Sequence, residues 1–424
     1  MGLSIAIAGF KLQSPAAVPD VELYKPSAMP DRVVLTWSGD PATTQSVTWR
    51  TDTTVAAGLA QIGKAEHGPY VEKQAKSAPS KVETITTDLG FQATYHSVTF
   101  RDLQPNTQYS YRVGDGTNWS EWYTFRTASN KPEPFKFLYF GDVQNGIKSH
   151  WSRVFRKALL DAPDTRLFLY AGDMVNRANK DSEWGELSYG PGWANGTIPS
   201  IPVTGNHEFE GGKLSGHWRP SYTLPENGIS GLEESSYYVD YQGVRFIVLN
   251  STVMSEEQAP WLEGVLKNNP NRWTIVAFHH PILSAAEGRD NPKLRALWKP
   301  LFDKYRVDMV LQGHDHTYAR SNFNKVPSSL NQAEQSGTMY VVTVCGSKMY
   351  NLNRQDWMQR VAEDTQFYQI IQVQNDKIIY EARTATGESY DKFELRKRNG
   401  KANQVVELGP KSKEFLRPPQ AAGK

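Results

Sequence analysis

Cysteine is nearly absent from this chain: of 424 residues, only Cys345 carries a thiol. One cysteine cannot close a disulfide within the chain or build a thiolate metal site, so sulfur neither staples the fold nor holds an ion. Cys345 lies in the apolar run VVTVCGS and reads as a small buried strand residue rather than a nucleophile. Long apolar stretches are missing too. None approaches the ~20 residues that cross a bilayer, so no membrane span is expected. An excess of either charge is also lacking, with 47 Lys and Arg against 45 Asp and Glu. Nucleic-acid binders show a basic surplus or a basic face, so no nucleic acid is expected as a stable partner.

What the chain has in quantity is length and aromatic side chains, 12 of them Trp, enough for more than one hydrophobic core. Residues 1–29 form an N-terminal segment, apolar from Leu3 to Phe10, with small residues at Ala16 and Ala17 and no basic start. It reads equally as the remnant of an export signal or as an ordinary terminus. Over residues 30–128, short alternating runs (RVVLTWS, QSVTWRTD, TYHSVTFRDL, TQYSYRVGD, EWYTFRTA) are broken by Gly, Pro, Asn and Asp. That pattern predicts a small antiparallel β-sandwich, with Trp37, Trp49, Tyr109, Tyr111 and Phe125 on one face. The polar, proline-bearing stretch 129–135 reads as a linker.

From Phe135 to about residue 395, apolar runs alternate with helical stretches near Trp151–Leu160 and Glu256–Asn268, the signature of a layered α/β domain. The fold class is therefore two-domain α/β (α+β). Residues 396–424, beginning RKRNGKANQ, read as a basic, solvated tail.

Five short polar motifs stand where apolar runs stop: GDVQ at Asp142, GDMVN at Asp173, GNHE at Asn206 and His207, AFHH at His279, and GHDH at His314 and His316. In open α/β sheets, side chains at the carboxyl ends of neighbouring strands converge on one crevice. Carboxylates, imidazoles and an amide oxygen, with no thiolate, suit Mn, Fe or Zn. They also exceed what one tetrahedral ion needs, and a bridging carboxylate can hold two ions.

In this order, and with GHDHTYAR extending the last motif as GHxHxYxR, the series resembles the calcineurin-like metallophosphoesterases. Within them it is most similar to the purple acid phosphatases, whose N-terminal fibronectin-like sandwich begins with a segment similar to VVLTWSGDPATTQSVTW. The resemblance implies an α/β/β/α catalytic domain and two metal ions, divalent or mixed. Asp142, Asp173 and His316 would hold the first, and a bridging Asp173, Asn206, His279 and His314 the second. It further implies in-line attack on phosphorus by a metal-bound hydroxide, with His207 protonating the leaving group. The substrate would be a phosphorylated small molecule. A phosphomonoesterase is expected; a phosphodiesterase or nucleotidase with the same site is the alternative, and a non-catalytic binding protein the third reading. The family implies a secreted or periplasmic location.

Two departures stand out. Purple acid phosphatases carry Tyr where this chain has Asn176, and many relatives carry His where it has Gln144. Both become candidate additional ligands. Loss of the phenolate removes the group that favours ferric ion and gives the purple colour, so a colourless or weakly coloured protein with a divalent pair is expected. Arg177, His217, His280, Tyr318 and Arg320 are candidate substrate contacts, His280 alternatively a structural residue. Trp184, Trp193, Trp218 and Arg219 are expected in loops around the pocket.

Overall fold

The computed structural model describes residues 17–398 and 400–418. Most of the apolar N-terminal stretch read above lies outside the described residues.

Two four-stranded antiparallel sheets make the N-terminal sandwich. One orders Asp31–Thr36, Gln45–Thr51, Gln92–Phe100 and Lys81–Thr86; the other orders Lys76–Pro79, Leu59–Lys64, Gln108–Gly114 and Tyr123–Arg126. Strand alternation sends Val33, Leu35, Val47 and Trp49 inward to meet Tyr109, Tyr111, Val113 and Phe125. Trp37 does not join them. It packs on Tyr241 of the second domain, ring centroids 5.2 Å apart, because the opposite face of its sheet is also buried. On that face Thr36 Oγ1 donates to the Thr223 carbonyl and Thr48 Oγ1 to that of Ser221.

The second domain stacks two seven-stranded sheets. In the first, Phe135–Phe140, Thr165–Ala171 and Ser200–Val203 run parallel and adjacent. In the second, Val244–Val248, Trp273–Ala277 and Met309–Gln312 do the same. Period-two alternation builds the layers. Phe246, Val248, Ile275, Ala277, Met309 and Leu311 face the inter-sheet core, where Phe137 meets Phe246 edge-on at 5.4 Å. Their neighbours Ile247, Val276 and Val310 face out onto helices Gln258–Lys267 and Pro292–Tyr305. Helix Ser152–Asp161 covers the other sheet through Val154 and Phe155. The result is an α/β/β/α sandwich of layers. Among the described residues, no helix is long and apolar enough to cross a membrane.

Among the described residues beyond 395, part of the stretch is tied to the fold and is not a free tail. Gln404–Glu407 adds an edge strand against Ser389–Arg396. Lys397 Nζ lies 2.6 Å from a carboxylate oxygen of the buried Asp308, Asn403 donates to the same group, and Phe415 stacks on Tyr390. Composition made this stretch look solvated, but Lys397, Glu407, Glu414 and Arg417 pair with Asp308, Arg320, Arg354 and Asp364, far back in the chain.

Candidate metal centre

Five strands of the two sheets end on one side, and each terminus delivers a polar side chain. Asp142 follows Phe135–Phe140, Asp173 follows Thr165–Ala171, Asn206 follows Ser200–Val203, His279 follows Trp273–Ala277, and His314 and His316 follow Met309–Gln312. Asp173, His279 and His314 place one ligand-type atom each within 4.8 Å of one another, and so do Asp142, Asp173 and His316. The two triads share Asp173.

The backbone is strained to do this. Asp142, Asp173, His314 and His316 have φ of 48°, 49°, 72° and 48°, in the left-handed region, at a cost on the order of 1 kcal/mol each for residues with a Cβ. Strain of this kind clusters where a site over-determines geometry. Close approach also demands glycine. A Cβ on Gly205 would stand 2.1 Å from Asp173 Oδ1, and one on Gly313 2.5 Å from Asp142 Oδ2.

Hydrogen bonds aim the ligand atoms. His279 Nδ1 donates to the Ala171 carbonyl and His316 Nδ1 to that of Lys348, each at 2.9 Å. Their Nε2 atoms are thereby turned into the cluster, 3.0 Å from Asp173 Oδ2 and 3.4 Å from Asp142 Oδ1 respectively. His314 Nδ1 lies 3.1 Å from His279 Nε2. Asp142 Oδ2 accepts the His314 backbone N–H at 2.6 Å, while its Oδ1 has no hydrogen-bond donor. Asn206 Oδ1 is likewise buried without a partner.

Such a set does not balance by itself. Burial, and then the charge of Asp173, push the Asp142 carboxyl well above its ordinary range. Burial opposes ionisation of Asp173 as well, but His279 overcomes it and holds that carboxyl down to about 2. Burial keeps His316 neutral, down to about 3; burial and the neighbouring His279 depress His314. Against its burial, Asp173 and then Asp142 push His279 up to about 9, so a proton stands where a cation would; the inward-facing oxygens and imidazole nitrogens, crowded together and partly orphaned, are a donor set that cations complete. The residues present fit a pair of metal ions.

Gln144 joins the cluster: its side-chain amide lies 2.9 Å from Asp173 Oδ2 and 3.2 Å from His316 Nε2, and Oε1 has no partner. Asn176 lines the adjoining cleft with Asn145, Lys148 and Arg177, and its carbonyl accepts from His207 Nδ1 at 2.6 Å. That bond fixes His207 with Nε2 3.9 Å from Asp173 Oδ2. His280 is also close, its ring centroid 4.2 Å from that of His314 and its Nδ1 2.9 Å from Ser251 Oγ.

Other candidates go elsewhere. His217 is buried beneath Trp184, with Nε2 3.3 Å from Asp181 Oδ1. Tyr318 Oη donates to Asp391, and Arg320 is buried between Asp391 and Glu407. Arg177 pairs with Glu183. Trp184 and Trp218 are buried and bond the Ala178 and Glu234 carbonyls, Arg219 pairs with Glu234, and Trp193 lies in a groove against the first domain. All of these but the exposed Trp193 find a structural partner first.

One organising residue carried no assigned role in the motif reading. Glu208 is buried and accepts the backbone N–H groups of Asp173, Met174, Val175 and Gly205, at 2.6 to 3.2 Å. It locks the second motif to the third. Burial, then the charge of Asp173, raise its carboxyl above the usual range. Its signal was present as the last residue of GNHE.

Compared with known proteins, residues 30–127 match the purple acid phosphatase N-terminal domain, and residues 135–318 match the calcineurin-like phosphoesterase domain. Residues 135–318 are a calcineurin-like phosphoesterase domain. Among its phosphatase relatives is purple acid phosphatase 21 of Arabidopsis thaliana, 25% identical over 332 residues that make up 75% of this chain and 71% of that protein. Another is Fe(3+)-Zn(2+) purple acid phosphatase 12 of the same plant, 25% identical over 283 residues, 59% of this chain and 57% of that one. The fold is that of purple acid phosphatase PPD1 from yellow lupin seeds, with a TM-score of 0.71 at 20% identity, covering 88% of this chain and 75% of that chain. Family, fold and donor set together support a metal-dependent phosphoesterase.

Proposed function

We propose that this calcineurin-like phosphoesterase is an acid-phosphatase-like phosphomonoesterase acting on small phosphorylated molecules, with a dinuclear centre bridged by Asp173. The observation that carries the reading is the pair of buried donor triads sharing that one carboxylate. Asp142, Asp173 and His316 would hold one ion, with Gln144 beside it; Asp173, Asn206, His279 and His314 would hold the other. Bound there, two ions polarise phosphoryl oxygens and bring the pKa of water toward neutrality.

The chain's own residues do the rest. Asn176 keeps the Nδ1 proton of His207 engaged and leaves Nε2 facing the cluster, where the ring in its imidazolium form hands its second proton to the departing ester oxygen and is left neutral, a contribution of roughly 10² to 10⁴ in rate. Fixed backbone carbonyls keep the His279 and His316 tautomers from changing during turnover. Without the Tyr ligand of its relatives, the pair is a divalent one and the protein is weakly coloured. On the family resemblance, we also assign it to a secreted or periplasmic compartment.

Release of inorganic phosphate from an aryl monoester by metal-loaded protein tests the reading. Activity should vanish with chelator and in Asp173→Ala. A strong preference for a bis-aryl diester would replace the monoesterase with a phosphodiesterase, and inactivity on both esters would overturn it.

A further inference from the structure

Arg320 and Arg177, which follow the last and second motifs in sequence, are already neutralised. Arg320 is enclosed by Asp391 and Glu407, and Arg177, 65% exposed, leans on Glu183. Among the described residues, Arg289 has no carboxylate within salt-bridge distance, yet it is fixed in place. Its Nη1 donates to the His314 carbonyl at 3.0 Å, and its guanidinium lies 4.7 Å from the centre of the Tyr350 ring. Tyr350 in turn packs against His316, ring centroids 4.6 Å apart, and its backbone N–H donates to the His316 carbonyl. Lys348, whose carbonyl orients His316, sets its ammonium 5.3 Å from the same ring centre, also without a carboxylate partner.

A planar guanidinium resting on an aromatic ring has lost much of its freedom in advance and keeps outward N–H groups for a bidentate grip on oxyanions. The charge stands at the cluster: the guanidinium is bonded to the backbone of His314 and rests on the ring that packs against His316. Two carboxylates cannot neutralise a pair of divalent ions, and Arg289 with Lys348 adds to the surplus on one wall. A monoester brings two negative charges to such a site and a diester only one.

We propose that Arg289, carried on Tyr350 and supported by Lys348, grips the phosphoryl oxygens of the substrate and makes the site select phosphate monoesters over diesters. This deepens the phosphoesterase reading and rests on it.

Two measurements on the full chain loaded with Mn(II) test it: the affinity for inorganic phosphate by calorimetry, and kcat/KM on a mono-aryl and a bis-aryl phosphate. Losing a charge-assisted contact should weaken phosphate binding about 10- to 100-fold in Arg289→Gln. The monoester should lose a similar factor, chiefly through KM, and the diester several-fold less. Arg289→Lys should fall between, and Lys348→Gln should lose less than Arg289→Gln.

Phosphate affinity at the wild-type value in Arg289→Gln, with normal metal content, would overturn the assignment, as would equal losses on both esters. If Arg289→Gln does not fold, Arg289→Lys and Lys348→Gln decide by the same ratios, and wild-type values in both overturn it. If wild-type protein hydrolyses neither ester, the phosphoesterase reading falls, and phosphate affinity alone judges Arg289.

Discussion

Two of the buried clusters of ionisable groups in this molecule are opposites. Around Asp181, at the seam between the domains, the charges are paired with one another. Arg32 reaches it with a two-pronged contact at 2.8 Å, Arg50 reaches it from 3.3 Å, and His217 closes the third side. Burial would raise the Asp181 carboxyl, but His217, Arg32 and Arg50 hold it well below its ordinary 3.8. Around Asp173 there are more acceptors than donors, with Asp142 Oδ1 and Asn206 Oδ1 unpartnered and no guanidinium within the cluster. A group of buried charges that closes on itself serves the fold. One left open, on a strained backbone, is built around something it has yet to bind.

Substitutions can break or sharpen that contrast. The largest effect belongs to Asp173→Ala, which should abolish binding of both ions and lower phosphate release by a factor on the order of 10³, with folding by circular dichroism kept. Asp181→Ala should do the reverse. Leaving the buried Arg32 guanidinium without its carboxylate, while Arg50 keeps Asp31, costs about 3–5 kcal/mol of stability, read as a fall in the thermal midpoint, while metal content per folded chain stays at the wild-type value.

The two clusters also differ in acid. Because the Asp181 carboxyl sits below 3.8 in the folded state, the unfolded chain binds more protons beneath that pH. The stability this group contributes is complete above 3.8 and is lost as the pH falls further. Denaturation curves should show that loss in the wild type and its absence in Asp181→Ala. Glu208→Gln is gentler. Removing the charge that gathers four backbone N–H groups should loosen the Asp173 loop and weaken metal affinity about 10- to 100-fold, measured by titration with a metal indicator. Smallest of all is Arg177→Gln, where an exposed pair with Glu183 should be worth less than about 1 kcal/mol and kcat/KM should change little.

Much of the centre was legible because each piece is local. A run of strand residues that stops at Gly-Asp, Gly-Asn-His or Gly-His announces a polar side chain at a sheet edge, and the aromatic strands of the first domain show their period directly. What stayed hidden was partnership over distance. Arg320 follows the last motif and looks available, but Asp391 and Glu407, 71 and 87 residues on, claim it. His217 gives no sign of Asp181, and Lys397 gives none of Asp308. Trp37 continues the sandwich's alternation but crosses to Tyr241, since its sheet is covered on both faces. Helix Pro292–Tyr305 contains Pro300, a helix breaker that obscured its period.

A crystal of the protein soaked in Mn(II) or Zn(II), with anomalous scattering recorded, tests the shared-carboxylate centre most directly. Two peaks are expected about 3.5–4 Å apart on either side of Asp173, one near Asp142 and His316 and the other near Asn206, His279 and His314. A single peak, or peaks not bridged by Asp173, would contradict it.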